Sequence, residues 1–129
     1  MNKISLIAVL ILPLAVTGCQ QTISKGAKGP SPQKIMVHIA RQAQSCWFKK
    51  NDPAFAKFSM ATELNSHSGR PRVLIVPRKN PGGLPKLVIQ AERIVGVAGV
   101  STFGPLLDSD AGSRIQDAVS KWAAGGKSC

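Results

Sequence analysis

Apolar and polar positions along this chain follow more than one rhythm, and the rhythm changes where proline, glycine and asparagine interrupt it. Between Ser31 and Lys49, apolar side chains fall at Ile35, Met36, Ile39, Ala40, Ala43, Cys46 and Trp47. Steps of three and four place them on one stripe of a helix, with Lys34, His38, Arg41, Gln42 and Lys49 off it or at its edge. Ser31-Pro32 is a start signal. The hydroxyl can accept from a free N–H of the first turn, and proline loses nothing at a position whose N–H has no partner. Asn51-Asp52-Pro53 ends the helix.

The period then drops to two. Ala56, Phe58, Met60, Thr62 and Leu64 alternate with Lys57, Ser59, Ala61 and Glu63, which predicts a strand buried on one side. A polar loop from Asn65 to Arg70 leads to Val73–Val76, a continuous apolar run between Pro71 and Pro77 that predicts a short strand. Asn80-Pro81-Gly82-Gly83 is a strong turn and predicts an antiparallel hairpin into Leu87, Val88, Ile89 and Ala91. Ile94–Val100 reads as a fourth strand or an apolar loop, because Gly96 and Gly99 weaken a strand. Phe103 to Leu107 reads as a connection with apolar plugs. Asp108 or Ser109 is the expected cap of a last helix, with its stripe at Ile115, Ala118, Val119 and Trp122 and its end at Gly125-Gly126. Helix, three or four strands, helix implies an α+β fold: an antiparallel sheet packed by an N-terminal and a C-terminal helix.

The first residues follow a different pattern. Met1–Lys3 carries one positive charge, and Ile4–Val16 is a 13-residue apolar run, long enough for a signal peptide and short for a membrane span. It closes on Leu14-Ala15-Val16-Thr17-Gly18-Cys19, which resembles the lipobox of bacterial lipoprotein precursors. The resemblance implies cleavage before Cys19, diacylglyceryl on its sulfur and acylation of the new amine, for instance with palmitate. It divides the chain into a signal peptide (1–18), a lipidated cysteine with a flexible tether (19–31) and a small domain (32–129). Gln20 replaces the aspartate that favours inner-membrane retention in enteric bacteria, so the outer membrane is the expected location. The twelve residues Gln20–Ser31 are rich in glycine, serine and lysine, and reach at most about 40 Å, or roughly 20 Å as a coil. The remainder is also similar to small lipoproteins of Gram-negative bacteria, a resemblance that names no activity.

With Cys19 assigned to lipid, Cys46 and Cys129 remain, in an oxidising compartment. An even remainder predicts a disulfide between them; the alternative is one buried thiol and one frayed terminal thiol.

Charge is distributed unevenly. Residues 20–93 carry a net +10, whereas residues 94–129 balance to zero. On a tethered protein, a basic half most simply faces anionic headgroups or lipid phosphates. Arg70, Arg72, Arg78, Lys79 and Lys86 cluster around two neighbouring strands and their turn. They form the expected anionic-surface binding patch, for lipid or lipopolysaccharide phosphates; the alternatives are a solvated surface or edge protection. Nucleic acid is not expected as a partner of an exported lipoprotein.

No residue set has catalytic spacing. His38 and His67 sit in a helix and a polar loop without zinc-site spacing, and Gly82-Gly83 lies in a hairpin turn rather than between a strand and a helix. Neither a cofactor nor a metal is expected. The sequence thus points to a non-enzymatic, lipid-anchored envelope protein, attached to the membrane by its N-terminal lipid, with a structural or accessory role. One rival is an accessory subunit of an outer-membrane assembly machine, with envelope proteins as partners. Another is a periplasmic enzyme inhibitor, although a basic surface does not suit a basic target such as lysozyme.

Overall fold

A computed structural model of the chain describes residues 29–129. The expected signal peptide, the lipidation site Cys19 and the tether up to Lys28 lie outside the described residues. Helix α1 runs from Pro32 to Ala43 and continues to Lys49 as a π-helix. The Ser31 hydroxyl caps it, accepting from the Lys34 N–H at 3.2 Å. Ile35, Met36, Ile39, Ala40, Ala43, Cys46 and Trp47 are all buried, as the helical stripe predicts. Pro53–Phe55 forms a 3-10 turn after the helix, capped by the Asp52 carboxylate, which accepts from the Ala54 N–H at 3.0 Å. This turn sends Phe55 into the core.

The sheet is a four-stranded antiparallel meander: β1 (Phe58–Glu63), β2 (Arg72–Pro77), β3 (Leu87–Ile94) and β4 (Val97–Phe103), in sequence order. The α+β arrangement is as expected, with four strands. Val73, Ile75, Leu87, Ile89 and Ala91 alternate onto the face that packs under the helices. Arg72, Leu74, Val76, Val88, Gln90 and Glu92 alternate onto the other. On the edge strand β1 the expected burial fades, and Ala61, Thr62 and Glu63 are exposed. The fourth strand expected within Ile94–Val100 is present but starts later, at Val97, because Ile94 still belongs to β3. The chain reverses at Val95-Gly96, with φ of 47° and 83°, and Val97 pairs back on Ile94.

Helix α2 spans Gly112–Ala123 and buries Ile115, Ala118, Val119 and Trp122. Neither Asp108 nor Ser109 caps it. Leu106 and Leu107 pack against the core, and Pro105–Asp108 winds as a 3-10 turn to bring them there, so α2 starts later, after Ala111. Gly112 is required by close approach: a Cβ there would lie 1.8 Å from the Leu107 carbonyl oxygen. At the other end, Gly125 takes φ +91°, and the Gly125 and Gly126 N–H groups donate to Trp122 O (2.9 Å) and Lys121 O (2.8 Å). These two bonds are the Schellman ending expected of the glycine pair.

The tail after α2 is tied down at three points. His38, on α1, donates through Nε2 to the Gly126 carbonyl at 2.8 Å. Trp122 Nε1 donates to Ser128 O at 2.9 Å. Cys129 is disulfide-bonded to Cys46, with Cα atoms 5.4 Å apart. Beside the crosslink Trp47 stacks on Phe55 at 4.4 Å and meets Trp122 at 5.0 Å.

A bidentate ion pair from Arg114 on α2 to Asp52 joins the two helical segments. The hydrogen bond from the Arg114 guanidinium holds the Asp52 carboxyl below the usual carboxylate range, against the opposing effect of burial. A carboxyl with a lowered folded pKa contributes stability above its unfolded pKa, and the contribution is lost as pH falls through the folded value. Acid titration followed by circular dichroism should therefore show the wild type losing more stability than Asp52→Asn as pH falls from about 5 to about 2. Parallel curves would mean that the pair is fully screened by solvent.

Candidate functional site

The five cations expected to form one patch separate into two groups. Arg70 and Arg72 lie at the end of the sheet where β2 begins, and each has a carboxylate across the strands. Arg70 Nε pairs with Glu92 at 3.0 Å, and Arg72 Nε donates to Glu63 at 2.9 Å. The register of β2 between its neighbours sets these cross-strand ion pairs, and they leave little net charge at that end. Arg78, Lys79 and Lys86 lie at the other end of β2. The six-residue step from Arg72 to Arg78 is roughly 20 Å. One continuous patch is therefore not formed.

A fourth cation, Lys57, joins the second group. The Arg78 N–H donates to Lys57 O at 2.9 Å, extending the β1–β2 ladder past Phe58–Pro77. The Lys86 N–H donates to Ile75 O at 2.8 Å, which brings the start of β3 alongside. The four side chains surround a groove of about 560 Å³ with Ala56, Phe58 and Pro77 as its apolar surface. Among the described residues, no carboxylate lines this groove, and none of the four cations has a carboxylate within ion-pair distance. The Arg78 guanidinium is partly oriented by the Phe58 carbonyl, to which Nη2 donates at 3.3 Å. It also lines a smaller neighbouring cleft with Trp47, Phe48 and Asp52.

A concave surface with cations of one sign and an apolar floor concentrates potential, and suits an anionic group attached to something less polar. Local sequence assigned Lys57 to the polar side of an alternating strand. Only the register of β1 on β2 sets it beside Arg78. Among the described residues, no group of three His, Cys, Asp or Glu side chains is placed to hold a metal ion, and no helix is long and apolar enough to cross a membrane. Comparison with family models, curated proteins and solved structures found no match to this chain.

Proposed function

We propose that the protein is a non-enzymatic, lipid-anchored lipoprotein of the cell envelope, held at the outer membrane, in which the folded domain has a structural or accessory role. The observation that supports it best is the use of the cysteines. Cys46 and Cys129 are consumed by one crosslink, a bond that suits an oxidising compartment. The odd cysteine, Cys19, stands where the lipobox resemblance requires the lipidated residue. Mass spectrometry of the protein from native membranes should find Cys19 at the N-terminus carrying a diacylglyceryl group and an amide-linked acyl chain. A Cys19 recovered unmodified would overturn the reading.

The groove favours a second, compatible reading, in which the domain holds phosphate groups of lipid or lipopolysaccharide, or an acidic face of an envelope protein. Each basic side chain at an anionic surface contributes on the order of 1 kcal/mol. Reversing two charges, Arg78→Glu with Lys86→Glu, should weaken binding to lipopolysaccharide on the order of a hundredfold, and binding should fall as salt rises. Arg70→Ala with Arg72→Ala should change it little, because both side chains already face carboxylates. Equal losses in the two double variants would return the cations to a general solvated surface.

A further inference from the structure

We infer that the β3–β4 hairpin tip, Ile94-Val95-Gly96-Val97, is a bilayer-inserting finger that seats the domain on the membrane holding its lipid. Three features of the tip carry this. The first is exposure. Ile94, Val95 and Val97 are 56%, 99% and 58% exposed, three neighbouring aliphatic side chains at one tip, whereas Leu84 (84%), in the β2–β3 connection, is a single side chain. The second is backbone conformation. Val95 adopts φ 47°, in the left-handed region where β-branched side chains are genuine outliers and asparagine or glycine is the usual occupant. A valine held there, fully in water, gains no packing within its own chain. Such an outlier points to something outside the chain that rewards an apolar tip.

The third feature is position. β2 pairs with β3 from Arg72–Gln90 to Ile75–Leu87, while β3 and β4 continue as a two-stranded arm to Ile94–Val97. The tip thus projects four residues, about 13 Å, beyond the level of Arg72. It does so at the pole where Gln33, in the first turn of α1, donates to Asn65 at the end of β1. The chain from the N-terminus enters the domain at this same pole, ahead of Ser31. An anchor on Cys19 and the apolar finger can thus address one surface; the basic groove, at the opposite end of the sheet, then faces away from that bilayer, and of its two occupants the acidic face of an envelope protein is the one compatible with a seated finger. Arg93 is exposed, and its guanidinium reaches along the arm to donate to Gly96 O at 2.9 Å, while Arg70 is paired with Glu92 at the base of the arm. Aliphatic side chains at the tip with one exposed arginine on the same arm suit a bilayer interface, where an arginine stem lies against hydrocarbon while its head reaches the headgroups.

The inference rests on the lipid-anchor reading, and the experiment separates the two. Trp47 and Trp122 are buried, so Val97→Trp adds one exposed reporter. The protein carrying it, isolated from native membranes, is reconstituted into vesicles of zwitterionic and anionic phospholipid with brominated acyl chains. Emission from the introduced indole is expected to shift to the blue and be quenched. Adding Val95→Asn, which suits the left-handed backbone and leaves the fold intact, should lower the inserted-to-free ratio about tenfold, the worth of burying one valine. If Cys19 carries lipid and the reporter still emits as in water, the finger is overturned and the anchor stands. If Cys19 is unmodified and the vesicles still quench the reporter, the finger stands and the anchor falls. Self-association in solution that Val95→Asn abolishes, with no quenching by vesicles, would assign the tip to a second copy and overturn the inference.

Discussion

Replacing Trp122 by alanine is expected to destabilise the domain by about 3–5 kcal/mol, the range for emptying a fully buried large aromatic site. Trp122 is the largest fully buried side chain and lies between α1, α2 and the tail. The space it would leave is bounded by Trp47 and by core residues of both helices, which cannot collapse together without moving the crosslinked end of α1. Its indole N–H also holds the Ser128 carbonyl next to Cys129. Trp122→Phe keeps most of the packing and loses that hydrogen bond, and should cost only about 1 kcal/mol beyond its smaller volume. Urea denaturation of the two variants separates these contributions through their midpoints. A Trp122→Ala loss below about 1 kcal/mol would mean that the aromatic cluster is not part of the cooperative core.

Breaking the crosslink comes next in size. Cys46 and Cys129 are 83 residues apart, and their bond closes a loop that contains the whole sheet and α2. Chain-entropy reasoning gives roughly 4–5 kcal/mol for such a loop, with about 2–4 kcal/mol more usual. For a domain of this size the corresponding fall in Tm is on the order of 10–25 °C. Cys129→Ser is the cleaner variant, because Cys129 is exposed whereas Cys46 is buried and a serine there would add a hydroxyl to the core. Calorimetry with and without reductant should show that loss for the wild type and no effect of reductant on Cys129→Ser. The Trp122 hydrogen bond and the disulfide hold one tail, so Trp122→Phe combined with Cys129→Ser should cost less than the two added together.

Local signals carried much of the architecture. The Ser31-Pro32 start, the apolar stripe of α1, the Asn80–Gly83 turn and the Gly125-Gly126 ending are each decided within a few residues, by φ preferences and by N–H and C=O groups close in sequence. Those elements lie where the chain pattern puts them. The lipobox resemblance is equally local, which is why the first residues raise the expectation of an anchor and carry no signal of an activity. The β3–β4 reversal escaped the pattern because Val95 contradicts the residue preference of the turn it occupies. The start of α2 escaped it because Asp108 and Ser109 have capping chemistry but the core takes Leu106 and Leu107 first, leaving a glycine to clear the Leu107 carbonyl. The basic patch was legible as a list of cations, not as a site. Charge adds up along a sequence regardless of distance, while a site depends on which side chains share one end of a sheet. Strand register placed Glu92 and Glu63 against Arg70 and Arg72, and brought Lys57 beside Arg78, through contacts between strands that no local pattern contains.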